Sequence, residues 1–197
     1  MDGCRLDVCY NWGMNILRKT TALAQQLWLP YLTETATAID ATCGGGNDTL
    51  FLCQNCGMVY GFDIQPEAIE TTEKLLKEHH CTNYQLINDS HTNMDRYVAC
   101  DVDVIVFNLG YLPNGNKEIT TVKENTLAAL EKALKMIRVD GLVSLTMYWG
   151  HEAGKQEREA VLAYCRQLDS SQYHCVYLSS LNQPNCPPEI VLITRKK

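Results

Sequence analysis

Ala38-Ile39-Asp40 is a short apolar run closed by an acid. After Ala41-Thr42-Cys43 comes the cluster Gly44-Gly45-Gly46, and Asn47-Asp48-Thr49 then opens a helix-like segment. A parallel strand turns into a helix around a nucleotide-like ligand in this way. Glycine lets the backbone approach a ligand and adopt positive φ, and the start of a helix offers N–H groups with no partner of their own. The motif therefore requires a strand before it, a helix after it, and a sheet to hold both.

The rest of the chain supplies that sheet. Apolar strand candidates fall at residues 36–41, 58–63, 84–88, 102–108, 142–148, 174–179 and 190–195. Helical spacing is expected between them at 49–54, 66–79, 91–99, 122–137 and 152–168, with Pro66 in the first turn of its helix and Gly141 as a C-terminal cap. A further helix is read over 15–31, stopped by Pro30. Such alternation predicts an α/β, Rossmann-like fold with a seven-stranded, mostly parallel sheet and helices on both faces. No good helix separates the last two strands, so the final strand is expected to return antiparallel. Residues 1–14 show no period and read as a disordered extension before a single domain over 15–197.

Composition narrows the function. Hydrophobic content of 46% and charged content of 20% are ordinary for a globular protein. No run of about 18 apolar residues suggests a membrane helix, and Met1-Asp2-Gly3-Cys4-Arg5 lacks the features of a signal peptide, so the cytoplasm is expected. The net charge of −6 argues against a general nucleic-acid coater. Local basic clusters at Arg18-Lys19, at Lys132, Lys135 and Arg138, and at Arg195-Lys196-Lys197 fit solvated faces as well as they fit RNA contact. Of the 10 cysteines only Cys53 and Cys56 make a C-x-x-C pair, read as two reduced thiols one helical turn apart, and no metal site is expected.

Doubly wound sheets bind ligands at the carboxyl ends of their strands. The first strand ends at Asp40 and the glycines, with Thr42, Gly44, Gly46, Asn47 and Asp48 in reach of a ligand. The second ends at Asp63-Ile64-Gln65, an acid placed for ribose hydroxyls. The third ends at Asp89-Ser90-His91, where a carboxylate can accept from an adenine amine. The fourth ends at Asn108-Leu109-Gly110-Tyr111-Leu112-Pro113. Each acid alone could be a helix cap, whereas the ordered set points to one nucleoside cofactor. A dinucleotide fingerprint wants a third glycine after Gly46, and Asn47-Asp48-Thr49 supplies none. Asp40 before the turn would repel a pyrophosphate and welcome a methionine amino group, which favours S-adenosylmethionine over NAD.

Residues 40–52, Gly61-Phe62-Asp63-Ile64-Gln65, Asp89-Ser90-His91, the 107–113 segment and Tyr148-Trp149-Gly150-His151 together resemble the class I S-adenosylmethionine-dependent methyltransferases. Within that class the chain is similar to the bacterial MnmM (YtqB-type) group, long labelled rRNA methylases. The resemblance covers roughly residues 15–195. It implies methylation of the aminomethyl group of 5-aminomethyl-2-thiouridine at the tRNA wobble position, with the anticodon stem-loop as partner and an rRNA base as the alternative. It leaves room for a homodimer.

Methyl transfer from a sulfonium is an in-line displacement, so catalysis is mostly positioning. Asn108-x-x-Tyr111 resembles the Asn-Pro-Pro-Tyr motif of amino-group methyltransferases, in which the Asn oxygen holds the amine N–H and the aromatic stacks on the base. The competing reading is a strand-end cap at Asn108 and a packed ring at Tyr111. His91 and His151 are candidates for substrate contact or proton relay, His151 beside Gly150 and Gly154 in a tight loop. Lys117 is a candidate phosphate contact. A non-catalytic RNA-binding module on the same fold is the alternative from another class.

Overall fold

The computed structural model describes residues 16–99, 101–110 and 121–197. The extension expected over 1–14 lies outside these residues, as do Tyr111 and Lys117. Among the described residues one sheet contains seven strands: β1 (Thr37–Asp40), β2 (Met58–Phe62), β3 (Tyr84–Ile87), β4 (Val102–Leu109), β5 (Ile137–Met147), β6 (Tyr173–Leu178) and β7 (Glu189–Arg195). The helices are α1 (Thr20–Trp28), α2 (Asn47–Cys53), α3 (Pro66–Glu78), α4 (Lys123–Met136) and α5 (Glu152–Gln167). The strand order is β3-β2-β1-β4-β5-β7-β6. Only β7 runs antiparallel to its neighbours β5 and β6; the other pairs are parallel. The expected architecture, including the returning last strand, is the one that forms.

Strand β1 lies between β2 and β4, so the chain winds outward from it in two directions and leaves a crevice at their carboxyl ends. Asp40 is level with Gly61 on one side and Val106 on the other, which brings the three strand ends together.

Strand β4 is almost continuously apolar because both its faces are covered. Ile105 and Phe107 pack with Leu130 of α4 and Val161 of α5, while Val104 and Val106 pack with Trp28 of α1, Leu52 of α2 and Leu76 of α3. The strand period of two thus divides the core into two layers. Each fully buried large side chain contributes about 1.5–3 kcal/mol.

Four expectations are corrected. The first helix is shorter than 15–31, because Ile16–Arg18 and Leu29–Tyr31 are 3₁₀ turns flanking α1. Residues His91–Arg96 form a 3₁₀ helix in place of an α-helix, with Ser90 capping it by accepting from Thr92 N. Cys53 closes α2 and Cys56 lies in the turn beyond, so the pair does not share a helix. Gly141 caps nothing. Helix α4 ends at Met136, and Ile137 already pairs with Val102. The register then jumps to Val104 opposite Leu142, with Asp140 at φ 61. A Cβ at Gly141 would lie 2.9 Å from the Asp103 carbonyl oxygen, so glycine answers to a close approach inside β5.

Candidate active site

Gly44 at φ 52 and Gly46 at φ 80 turn the chain from β1 into α2. Asp40 supports that turn from beneath. It is fully buried, accepts from Thr42 N at 3.1 Å and from the Thr49 hydroxyl at 2.6 Å, and does not line the cavity. Burial, reinforced by the nearby Asp48 charge, raises its carboxyl to about 7. Gly46 also lies outside the lining. A Cβ there would sit 2.9 Å from Thr72 Cα, so this glycine lets α3 pack against the loop. The close helix packing that a third glycine provides in dinucleotide folds falls here to Gly46.

At the end of β2, Asp63 accepts from Gly44 N and from Gln65 N, both at 2.9 Å. Those bonds hold the carboxylate against the loop and leave acceptor capacity for a ligand hydroxyl. Ile64 beside it is 56% exposed on the cavity rim, an apolar surface for the face of a base.

Asp48 lines the cavity as Asp63 does. Its Oδ1 accepts from Gln25 Nε2 at 2.7 Å and its Oδ2 from Asn108 Nδ2 at 2.9 Å. Desolvation raises its pKa, and the two amide hydrogen bonds oppose that rise. Asn108 N donates to the Thr42 hydroxyl at 2.7 Å, tying the end of β4 to the loop after β1. Since the carboxylate takes the Asn108 N–H, the orientation of that amide is set. Its Oδ1 is buried and has no hydrogen-bond partner among the described residues.

The third strand end behaves differently. Asp89 lies outside the lining and spends its oxygens on Ser90 N at 2.7 Å, Asn93 Nδ2 at 3.0 Å and the Tyr97 hydroxyl at 2.8 Å. These bonds, Asn93 foremost, hold its carboxyl below the usual range. Asp89 therefore braces its own 3₁₀ segment, while its neighbours Ser90 and His91 reach the cavity. His91 Nδ1 lies 3.1 Å from the Ala41 carbonyl, which can only accept, so the proton is on Nδ1. Burial lowers its pKa and keeps the ring neutral, leaving Nε2 as an acceptor.

At the end of β5, Tyr148, Trp149 and His151 line the opposite wall. His151 is the N-cap residue of α5, and a Cβ at Gly154 would come within 2.4 Å of the Tyr148 carbonyl oxygen and 2.8 Å of the His151 ring. The glycine therefore permits this close packing of strand end, histidine and helix. One turn further, the buried Glu157 accepts from the Thr121 hydroxyl at 2.8 Å and the Thr126 hydroxyl at 2.5 Å. Its pKa is raised by burial and opposed by those two hydroxyls and by the His151 charge.

The cavity enclosed by these walls has a volume of about 780 Å³, within the range of sites for nucleoside-sized ligands. Thr42, Gly44, Asn47, Asp48, Asp63 and Gln65 line it, as do Ser90, His91, Asn108 and His151. Reasoning from sequence missed Gln25, Ile64, Tyr148 and Trp149 as cavity residues. Gln25 carries a signal: it falls on the stripe of Ala22 and Trp28, a polar side chain at 9% exposure on a buried helix face.

Among the described residues no helix is long and apolar enough to cross a membrane, and no three His, Cys, Asp or Glu side chains gather as a metal site. The basic clusters are largely engaged within the fold. Lys132 pairs with Asp95, Lys135 with Glu131 and Arg138 with Asp103, while Arg195 donates to the Ile137 carbonyl.

Comparison with known proteins agrees with this geometry. A family model described as "Putative rRNA methylase" matches residues 59–194. An Arabidopsis thaliana protein named tRNA (mnm(5)s(2)U34)-methyltransferase, chloroplastic, is 38% identical over 195 residues, covering 91% of this chain and 70% of the relative. A Clostridium thermocellum structure of the same description as the family superposes with a TM-score of 0.88 at 38% identity, covering 90% of this chain and 97% of the other. A Streptococcus mutans "putative methyltransferase" in complex with SAH gives a TM-score of 0.84 at 35% identity, covering 89% and 97%.

Proposed function

This chain belongs to the rRNA methylase family of class I S-adenosylmethionine-dependent methyltransferases, and on that premise we propose that it methylates the aminomethyl nitrogen of 5-aminomethyl-2-thiouridine at the wobble position of tRNA. The name of the Arabidopsis relative supports this substrate. The observation that carries the reading is the Asn108 side chain, whose Oδ1 is buried, oriented and unpartnered among the described residues.

The residues present suit the cofactor. The positive-φ turn at Gly44, the Asp63 carboxylate and the exposed Ile64 would hold its amino-acid, ribose and base parts. When bound, S-adenosylmethionine supplies a methyl group on a positively charged sulfur. The chain supplies position and field. Asn108 Oδ1 is suited to accept an amine N–H, which restrains the nitrogen and leaves its lone pair as the free direction for attack. The nitrogen gains positive charge as it attacks, and the Asp48 carboxyl group, which accepts from the Gln25 and Asn108 amides, turns acceptor oxygens toward the same buried setting. A hydroxyl acceptor would need a base to remove its proton, whereas a neutral amine needs none before transfer. Sequestering a single-stranded loop base in the cavity fits anticodon recognition, because no duplex has to melt. A cytoplasmic location goes with this reading, since bulk tRNA is used there.

Nucleoside mass spectrometry of tRNA and rRNA from a strain lacking the gene tests it. The reading expects the unmethylated aminomethyl nucleoside to accumulate in tRNA and to disappear on complementation. Unchanged tRNA with a missing rRNA methyl mark would sink it in favour of an rRNA base.

A further inference from the structure

We propose that Trp149 is the platform on which the target base stacks, held ready by Arg158; the inference rests on the tRNA reading above and assigns the part of the site that recognises the base. Trp149 lies just beyond β5, and Asn108 pairs with Thr146 of that strand. Both residues line the cavity. The cofactor cradle belongs to the ends of β1 and β2, on the other side of β4, so the β5 wall is the part left for the acceptor.

The indole is fixed at two points. Its Nε1–H donates to the Pro187 carbonyl at 2.9 Å, and the Arg158 guanidinium stands 4.8 Å from the ring centroid over its face. Arg158 is fixed in turn, donating to both carboxylate oxygens of Glu189 and, at 2.9 Å, to the Tyr177 hydroxyl. Glu189 is 5% exposed, so the clasp is anchored in the protein interior. A cation over one face stabilises the ring and blocks that face. The ring still lines the cavity, and its placement before any ligand arrives reduces the ordering cost of binding.

A packed core tryptophan looks different in the same molecule. Trp28 is 2% exposed and meets Phe51 edge to face at 6.0 Å, whereas Trp149 is only partly buried. A flat aromatic surface recognises a nucleobase through its π-face without reading the identity of the base. Asn108 then supplies the choice of nitrogen, and Trp149 supplies the grip. The guanidinium is already engaged by Glu189, so its part is to position Trp149 and not to bind a phosphate.

A double-mutant cycle between protein and RNA tests this. The probes are a synthetic anticodon stem-loop carrying 5-aminomethyl-2-thiouridine and the same loop abasic at the wobble position, each titrated into full-length protein loaded with S-adenosylhomocysteine. Trp149→Ala is expected to weaken binding of the intact loop roughly 5- to 100-fold and to leave the abasic loop and the affinity for S-adenosylhomocysteine unchanged. KM should rise without a matching fall in kcat. Trp149→Phe should recover most of the affinity, and it carries the cycle if the alanine variant does not fold. Arg158→Lys keeps a charge for Glu189 but loses the planar fork, so it should weaken the intact loop and spare the abasic one. Equal losses on both loops, or no loss on either, overturn the platform while leaving wild-type turnover of the stem-loop intact. A wild-type protein that neither binds nor methylates the stem-loop overturns the tRNA reading and the platform with it.

Discussion

Asp48 accepts the Asn108 side-chain N–H at 2.9 Å, and the Asn108 oxygen is thereby committed to the role of acceptor at the end of β4. Gln25 from α1 donates to the other oxygen of Asp48 at 2.7 Å, so one carboxylate joins the first helix, the glycine loop and the fourth strand. The relationship makes the amide a directed group, able to sort a nitrogen acceptor from others.

Removing that acceptor should separate binding from transfer. Asn108→Ala is expected to keep its affinity for S-adenosylhomocysteine within about 3-fold and to lower kcat by roughly 100-fold or more, in line with the loss of one positioned catalytic hydrogen bond. Isothermal calorimetry and single-turnover methylation would check the two halves. Turnover at the wild-type rate would remove Asn108 from the mechanism.

Asp48→Asn tests the orientation itself. Without a charged acceptor the Asn108 amide is free to turn over, and a hydrogen bond to a charged group contributes about 1.5–3 kcal/mol. The predicted outcome is a fall in kcat on the order of 10- to 100-fold, with the fold retained by circular dichroism. A kcat equal to wild type would show that the Asn108 orientation does not depend on Asp48.

Two glycines of the loop, Gly46 and Gly45, should respond unequally to alanine. Gly46 has φ 80 and Thr72 Cα 2.9 Å from where a Cβ would stand, so Gly46→Ala combines a left-handed penalty with overpacking, about 2–5 kcal/mol together. Gly45 is not at positive φ, and its nearest neighbour would be Asn47 Nδ2 at 3.7 Å. Gly45→Ala should therefore change stability by less than about 1 kcal/mol. Urea midpoints that shift equally for both would contradict this assignment.

The buried Asp40 predicts a pH dependence of stability. Its folded-state value of about 7 stands above the ordinary 3.8, so the folded protein holds this proton more tightly than the unfolded chain. The contribution is complete below about pH 4, fades as pH rises, and is gone above about pH 7. Asp40→Asn keeps an acceptor for Thr42 N and cannot ionise. The stability of the variant relative to wild type should accordingly climb from pH 4 to pH 7 and then level off. A difference that stays flat across that window means Asp40 titrates as an ordinary exposed acid.

The strand ends were readable because their chemistry is local. An apolar run closed by Asp40 and followed by Gly44-Gly45-Gly46 admits few folds, and Asn108 follows an apolar run that only a buried strand explains. Less legible was which side-chain neighbour, near or far in sequence, would engage each group. Gly46 looks like a ligand contact until Thr72 of α3 is seen against it. Asp40 and Asp48 are both acids beside the turn, and only the packing of Thr49 and Gln25 shows which one is sealed beneath the loop. Asp89 resembles a base contact, yet Asn93 and Tyr97 from its own 3₁₀ segment and the residue after it occupy its oxygens. Trp149 belongs to a segment that resembles the family, yet nothing in the sequence marks it for stacking, because its placement depends on Pro187, Arg158 and Glu189 arriving from later elements.

The central claim is transfer to a primary amine on a wobble uridine, and it can be measured directly. Purified protein, S-adenosylmethionine with a labelled methyl group, and two synthetic anticodon stem-loops suffice, one carrying 5-aminomethyl-2-thiouridine and one plain 2-thiouridine. The account predicts one methyl group per aminomethyl stem-loop, located on the side-chain nitrogen by fragmentation mass spectrometry, and none on the 2-thiouridine control. Equal labelling of both, or label on the aminomethyl loop at any other atom, would contradict it.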